Sequence, residues 1–175
     1  FALSICTQIA SSQSGDSWQE ILQNGSGTVQ FYWFPNNTLI DQSKDVMDGV
    51  EHEICVDFIK YLNDTYNIQV VAKWNRANNF SQVMDKVAQG RNGTFGVSSI
   101  SVTKERQEVF NFSPSYFPDI SVLVSSGNLP IVRTDDDFKE TFNGLTAVTI
   151  ENTTLEQGLL RLKDSLKIDF DILYV

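Results

Sequence analysis

The chain has 175 residues, a hydrophobic content of 41% and a charged content of 20%, which is ordinary for a globular protein of one domain or slightly more. A net charge of −9 without a Lys/Arg cluster argues against nucleic acid as a partner. A single histidine and two cysteines remove most zinc and triad chemistry from consideration, and no cofactor or metal is expected.

Residues 1–16 are predicted to be a signal-peptide remnant followed by a polar linker. The apolar start, followed by small residues, is how a secretory signal ends. The Leu-Ser-Ile-Cys stretch that ends at Cys6 is similar to a lipoprotein cleavage box, although Ile5 is larger than the residue expected there. We therefore expect an exported protein, periplasmic or extracellular, with lipidation of Cys6 left open.

Helix and strand patterns alternate through the rest of the chain. Strands are predicted at residues 28–34, 68–74, 95–98, 119–125, 145–150 and 170–175, where β-branched and aromatic residues concentrate. Helices are predicted to begin at a capping box on Ser17, at Gly49, after an Asn78-Asn79 cap, at the N-cap Thr103, at a cap on residues 134–137 and at residues 151–154. This alternation predicts a mostly parallel α/β sheet.

The helix after Gly49 is predicted to bury one apolar stripe. Ile54, Phe58 and Leu62 follow one another at intervals of four residues, with Ile59 beside them, which places all four on one apolar stripe. Glu51 and Glu53 near the helix start suit the helix dipole rather than acid–base catalysis. His52 is expected to be exposed.

The stretch at residues 98–116 contains the strongest candidate for a binding site. A strand runs into a hydroxyl-rich turn, Thr103 occupies an N-cap position, and Arg106 follows in the first helical turn. A cation is disfavoured at that end of a helix, and a bound carboxylate or phosphate would remove the conflict. The alternative is a solvated Arg106 that pairs with Glu105 or Asp119.

Two segments resemble the type 2 periplasmic solute-binding proteins, the extracellular solute-binding family 3. Members have a strand ending in Gly-x-Thr-x-Thr-x-x-Arg, then Asp-Phe-Ser-x-Pro-Tyr, similar to residues 99–106 and 111–116 here. The hexapeptide at residues 49–54 is similar to their Gly-Phe-Asp-Val-Asp-Leu helix start. The resemblance implies that Arg106 and Ser101 bind a ligand carboxylate beside Thr103. It also implies that the carbonyl of Ser99, in place of the usual Gly, accepts the ligand ammonium.

The resemblance also assigns residues outside that loop. Trp33 and Phe34 follow the first strand, where family members pack an aromatic on the ligand, although either residue can equally belong to the core. Thr153 matches a Gly-Thr-Thr turn of the second lobe, with Asn152 in place of the Gly; Asn tolerates the backbone angles that Gly adopts there.

The predicted fold is an α/β, periplasmic-binding-protein-like type II architecture. Residues 17–125 form a three-layer α/β/α first lobe, and residues 126–175 form the hinge and part of a second lobe, so the chain looks truncated. The implied function is capture of a small carboxylate-bearing ligand, most simply an amino acid, for the permease of an ABC-type transporter, without enzymatic activity. The alternative is a sensing domain of a membrane-bound lytic transglycosylase or a sensor kinase.

Overall fold

The computed structural model describes residues 14–35, 40–43, 46–118 and 121–175. The chain divides into two compact units, the first ending at Asn111 and the second spanning Phe112–Val175. This division precedes the lobe boundary that the sequence predicts at residue 125. The cleavage-box cysteine Cys6 lies outside the described residues.

The first unit contains a three-stranded parallel sheet with strand order β4–β1–β5. Its elements, in chain order, are α1 (Trp18–Asn24), β1 (Ser26–Trp33), β2 (Asp41–Ser43), β3 (Val46–Asp48), α2 (Val50–Tyr66), β4 (Gln69–Arg76), α3 (Phe80–Gln89), β5 (Thr94–Val97) and α4 (Lys104–Gln107). The short antiparallel pair β2–β3 is not predicted from the sequence. The parallel sheet confirms the predicted fold class.

The core of this unit follows from the alternation of side chains along β1. Phe31 and Trp33 point to one sheet face and pack with Ile21 of α1 and with Cys55 and Ile59 of α2. Tyr32 points to the opposite face, where it packs with Val83 of α3. Helices therefore cover both faces of the sheet and give the three-layer α/β/α lobe.

Helix α2 buries only part of the predicted stripe. Ile54 and Phe58 are 41% and 38% exposed, whereas Glu51 is only 2% exposed. Glu51, Cys55 and Ile59 are spaced by four residues and share the face turned to the sheet. Ile59 of the predicted stripe therefore lies on the buried face, whereas Ile54 and Phe58 lie one residue away from it.

His52 is half-buried rather than exposed, because its ring lies 4.9 Å from the ring of Trp74. That contact belongs to the side of α2 that approaches β4. The histidine thus has a packing role in the first unit.

The second unit contains a parallel strand pair and two helices. Its elements are α5 (Asp135–Phe142), β6 (Thr146–Thr149), α6 (Thr154–Leu166) and β7 (Asp171–Tyr174). Thr134 and Asp137 form a reciprocal capping box at the start of α5, as the sequence predicts for that helix start. Lys163 of α6 donates to the carbonyl of Phe170 at 2.8 Å, which ties this helix to the segment before β7.

The strand predicted at residues 119–125 is not formed in its described part, residues 121–125. Val122 and Val124 are 74% and 84% exposed. A β-forming sequence needs a neighbouring strand for its backbone hydrogen bonds, and this segment is not paired with one. Within the described ranges, no helix is long and apolar enough to cross a membrane.

Candidate functional site

The candidate site is built on residues 98–103, which we call the β5–α4 loop. Trp33 of β1 pairs in register with Val97 of β5, so the carboxyl ends of these two parallel strands lie side by side. The buried Ser98 hydroxyl donates to the carbonyl of Phe34 at 3.0 Å and joins the two strand ends. Ligands of open α/β sheets bind at such carboxyl ends.

Ser99 adopts the left-handed backbone conformation, with φ 50°. This is the position where the resemblance places a glycine, and for a residue with a side chain the conformation costs about 1–2 kcal/mol. The Ser99 N–H donates to the carboxylate of Glu51 at 2.6 Å. A charge-assisted bond of this kind offsets much of the cost.

Arg106 lies against the protein rather than in bulk water. Its Nη1 donates to the carbonyl of Ser101 at 2.9 Å, and its guanidinium carbon lies 5.3 Å from the centre of the Phe80 ring. Burial lowers the pKa of the guanidinium, but an arginine stays protonated at neutral pH. These two contacts help to hold the cation in place, and a guanidinium has five N–H donors with which it can also bind an anion.

Thr103 connects the loop to Arg106. Its hydroxyl oxygen caps the single turn of α4 by accepting the backbone N–H of Arg106 at 3.2 Å. The N-cap assignment made from the sequence is therefore confirmed. A hydroxyl that accepts one bond still has a proton to donate.

The two candidate aromatics lie in different places. Trp33 is 1% exposed and packed in the core, with the Arg76 guanidinium 5.6 Å from its ring. It takes the core position that the sequence left open, and its ring offers no exposed face to a ligand in this structure. Phe34 is half-buried and packs against the same cluster as Ile100 of the β5–α4 loop, so it remains the predicted ligand contact.

Thr153 belongs to the second unit and caps α6. Its hydroxyl donates to the carbonyl of Ile150 at 2.6 Å and accepts the N–H of Glu156 at 3.4 Å. Asn152 has φ 60°, in the left-handed region that Asn tolerates. The side chain of Glu156 in turn accepts the N–H of Asn152 at 2.7 Å and the hydroxyl of Tyr174 at 2.7 Å. This bond to Glu156 raises the pKa of Tyr174.

The structure thus brings Ser99, Ser101, Thr103 and Arg106 together on one loop and turn, with Phe34 at the neighbouring strand end. Sequence reasoning missed two members of this assembly. Phe80 follows the Asn79 cap and looks like any apolar helix position, while Glu51 is explained by the helix dipole alone. Their partners lie 26 and 48 residues away in sequence, and no local pattern reports such a contact.

The fold is periplasmic-binding-protein-like, since solved structures of that fold match the chain. Residues 32–160 match the family model of the bacterial extracellular solute-binding proteins, family 3. The chain belongs to this family. No curated protein matches the chain.

Solved structures with the same fold include three amino-acid-related proteins. A structure described as a putative L-cystine ABC transporter from Listeria monocytogenes has a TM-score of 0.59 and 15% identity, covering 84% of this chain and 59% of the other. The ancestral amino-acid-binding protein AncCDT-1, a precursor of cyclohexadienyl dehydratase, has a TM-score of 0.61 and 18% identity, covering 90% and 64%. An ancestral arginine-binding protein bound to arginine has a TM-score of 0.50 and 12% identity, covering 83% and 60%.

These identities are low enough that the likeness concerns the fold alone. The chain spans about 60% of the length of these structures, by their coverages of 59%, 64% and 60%.

Proposed function

We propose that this protein captures an amino acid, or a related small carboxylate, between two lobes and delivers it to the permease of an ABC-type transporter. The observation that carries the proposal is the partly buried guanidinium of Arg106, held over Phe80 and bonded to the Ser101 carbonyl. Membership of the family supports the general role of solute binding.

The chemistry of the β5–α4 loop supports a carboxylate as the recognised group. A guanidinium presents parallel N–H donors that match the two oxygens of a carboxylate. Thr103 and the backbone of the same turn add donors beside it. The carbonyl of Ser99 would accept a hydrogen bond from an ammonium group on the ligand. A ligand with both a carboxylate and an ammonium group would be an α-amino acid.

The second lobe would supply a contact through the start of α6. This helix has 13 residues and begins at the buried Thr153 cap, so its first N–H groups form a partial positive charge suited to a carboxylate. A ligand that contacts both lobes favours the closed state through its higher affinity for that state. Thr153 would be the second lobe's part of the carboxylate site.

We further propose an exported, non-enzymatic protein. Family 3 is described as extracellular, which supports a location in the periplasm or outside the cell. The residues assembled around Arg106 offer groups suited to binding and orienting an anion, which supports a binding role rather than catalysis. AncCDT-1 is described as a precursor of cyclohexadienyl dehydratase, and we do not extend that enzymatic activity to this chain.

The direct test is isothermal titration of the 175-residue chain with L-arginine, L-cystine, a panel of other L-amino acids and their α-amides. We expect at least one amino acid to bind and its amide, which lacks the carboxylate, to bind at least about thirtyfold more weakly, because removing one partner of a buried charge pair costs about 2 kcal/mol or more. Equal affinity for acid and amide would contradict the assigned carboxylate site.

A further inference from the structure

Glu51 is a buried charged side chain without an assigned role in ligand binding. It lies in the first turn of α2 and is 2% exposed. Burial of a carboxylate is costly unless it accepts hydrogen bonds, so its position needs a structural reason. Glu53, two residues further along the same turn, is exposed and serves the helix dipole equally well.

Glu51 accepts a hydrogen bond from the residue that begins the turn of the β5–α4 loop. The N–H of Ser99 donates to Glu51 at 2.6 Å, and Ser99 is held in the left-handed conformation with φ 50°. The preceding Ser98 is fixed separately through its hydroxyl bond to the Phe34 carbonyl. Two neighbouring residues are thus tied to two different parts of the lobe, the end of β1 and the start of α2.

We propose that Glu51 is a positioning residue for the ligand site. It holds Ser99 in its left-handed conformation and thereby sets the direction of the backbone through the β5–α4 loop. The direction of the chain after Ser99 determines where the carbonyl of Ser101 lies, and that carbonyl receives the guanidinium of Arg106 at 2.9 Å. The linkage runs from Glu51 to the Ser99 N–H, along the backbone to Ser101, and from the Ser101 carbonyl to Arg106. The expected effect of Glu51 on ligand affinity rests on the proposed function. The expected effect of Glu51 on the conformation of Ser99 does not.

The first experiment measures the loop without a ligand. Amide hydrogen exchange and the NMR shift of the Ser99 N–H are compared in the wild type, Glu51→Gln and Glu51→Met. Gln keeps an oxygen acceptor, whereas Met has a similar length and no oxygen acceptor at that place. Exchange at Ser99 is expected to be about tenfold faster in Glu51→Met and nearly unchanged in Glu51→Gln, after correction for global stability.

Glu53→Gln is the matched control, because it removes a carboxylate from the same helical turn. The Ser99 amide is expected to be unaffected by this change. An effect of Glu53→Gln equal to that of Glu51→Met would overturn the proposal, since the helix dipole would then explain both. Unchanged Ser99 exchange in Glu51→Met would overturn it as well.

The second experiment measures affinity for L-arginine and L-cystine in a double-mutant cycle with Ser99→Gly. Glycine adopts the left-handed conformation at little cost, so the Glu51 bond is less needed in that background. Glu51→Met is expected to weaken binding about tenfold in the wild-type background and about threefold or less in the Ser99→Gly background. Equal losses in both backgrounds would mean that Glu51 acts through general stability and would refute the positioning role.

The two experiments separate failure of this inference from failure of the proposed function. If neither amino acid binds the wild type, the amino-acid function fails for these probes, and the Ser99 amide alone decides whether Glu51 positions the loop. If Glu51→Met does not fold, the Glu51→Met/Ser99→Gly double variant and Glu51→Gln supply the comparison. Loss of Ser99 protection in Glu51→Gln, which keeps the acceptor, would count against the proposal.

Discussion

The guanidinium of Arg106 lies 5.3 Å from the centre of the ring of Phe80, the first residue of α3. The ring gives the cation a flat apolar support on one side, while the Ser101 carbonyl orients it from another. This pairing joins α3 to the loop that follows β5. It explains how an arginine is held partly buried near the carboxyl end of β5.

The first prediction concerns this support. Phe80→Leu keeps an apolar side chain of similar size but removes the aromatic face, and we expect amino-acid affinity to fall about three- to tenfold, since a cation–π contact contributes about 0.5–1 kcal/mol or more. Isothermal titration measures the change. Phe142→Leu, on α5 of the second unit, is the matched control. Affinity equal to wild type in Phe80→Leu would show that the ring does not orient Arg106.

The second prediction concerns the charge and shape of Arg106. Arg106→Ala should abolish measurable binding, and Arg106→Lys should weaken it at least about thirtyfold, because an ammonium cannot make the parallel pair of bonds and reaches the Phe80 ring differently. Arg161→Ala, an exposed arginine on α6, is the control and should bind like the wild type. Binding that survives Arg106→Ala would reject the assigned role of this residue.

The third prediction separates the two aromatics at the end of β1. Trp33→Ala should lower the free energy of unfolding by about 3–5 kcal/mol, because it empties a core position. Phe34→Ala should cost less stability and should weaken amino-acid binding. Urea denaturation and titration of both variants provide the measurements. A Phe34→Ala variant with wild-type affinity would remove Phe34 from the proposed site.

The fourth prediction concerns Cys55 of α2. Burial raises the pKa of its thiol from 9.0 to about 12, with the nearby Glu51 charge adding to the shift. Such a shift corresponds to a roughly thousandfold smaller thiolate fraction at about pH 8, so alkylation should be correspondingly slow. In a Cys6→Ser background, iodoacetamide should label Cys55 only in urea. Rapid labelling of the native protein would contradict the buried, protonated thiol.

The same pKa shift has a consequence for stability. Because the thiol has a higher pKa in the folded protein than in the unfolded chain, its contribution is complete below about pH 9 and is lost as the pH rises towards 12. A Cys55→Ala variant should therefore lose less stability than the Cys55 protein between about pH 9 and pH 11. Identical pH dependence of the two proteins would count against the shift.

The fifth prediction concerns the helix start in the second unit. Thr153→Ala should destabilise α6 by about 1 kcal/mol, because it removes the acceptor for the N–H of Glu156. Thr153→Ser keeps the hydroxyl and should restore stability. If Thr153 also contributes to the carboxylate site, Thr153→Ser should restore affinity too. Affinity that is equal in Thr153→Ala and the wild type would restrict Thr153 to capping.

The sequence by itself determined the features that depend on near neighbours in the chain. The sequence predicts the caps at Ser17, Thr103 and Thr134, and it places two further caps within the pair 78–79 and the helix start 151–154, because a cap bonds to an N–H only two or three residues away. The structure assigns these two caps to Asn79 and Thr153. The left-handed angle of Asn152 is a local preference of the same kind. Alternating helices and strands likewise predicted the parallel sheet.

Tertiary structure alone decided the features that depend on distant partners. The buried face of α2 includes Glu51 rather than Ile54, and the hydrogen bond to Ser99 lies on that face. Burial of Trp33, the support of Arg106 by Phe80 and the missing strand at residues 121–125 also depend on what packs or fails to pack nearby. Hydrophobic periodicity in the sequence locates an apolar stripe on a helix or strand. The free energy of each side-chain contact depends on the residues that pack against it, and these are determined only by the folded chain.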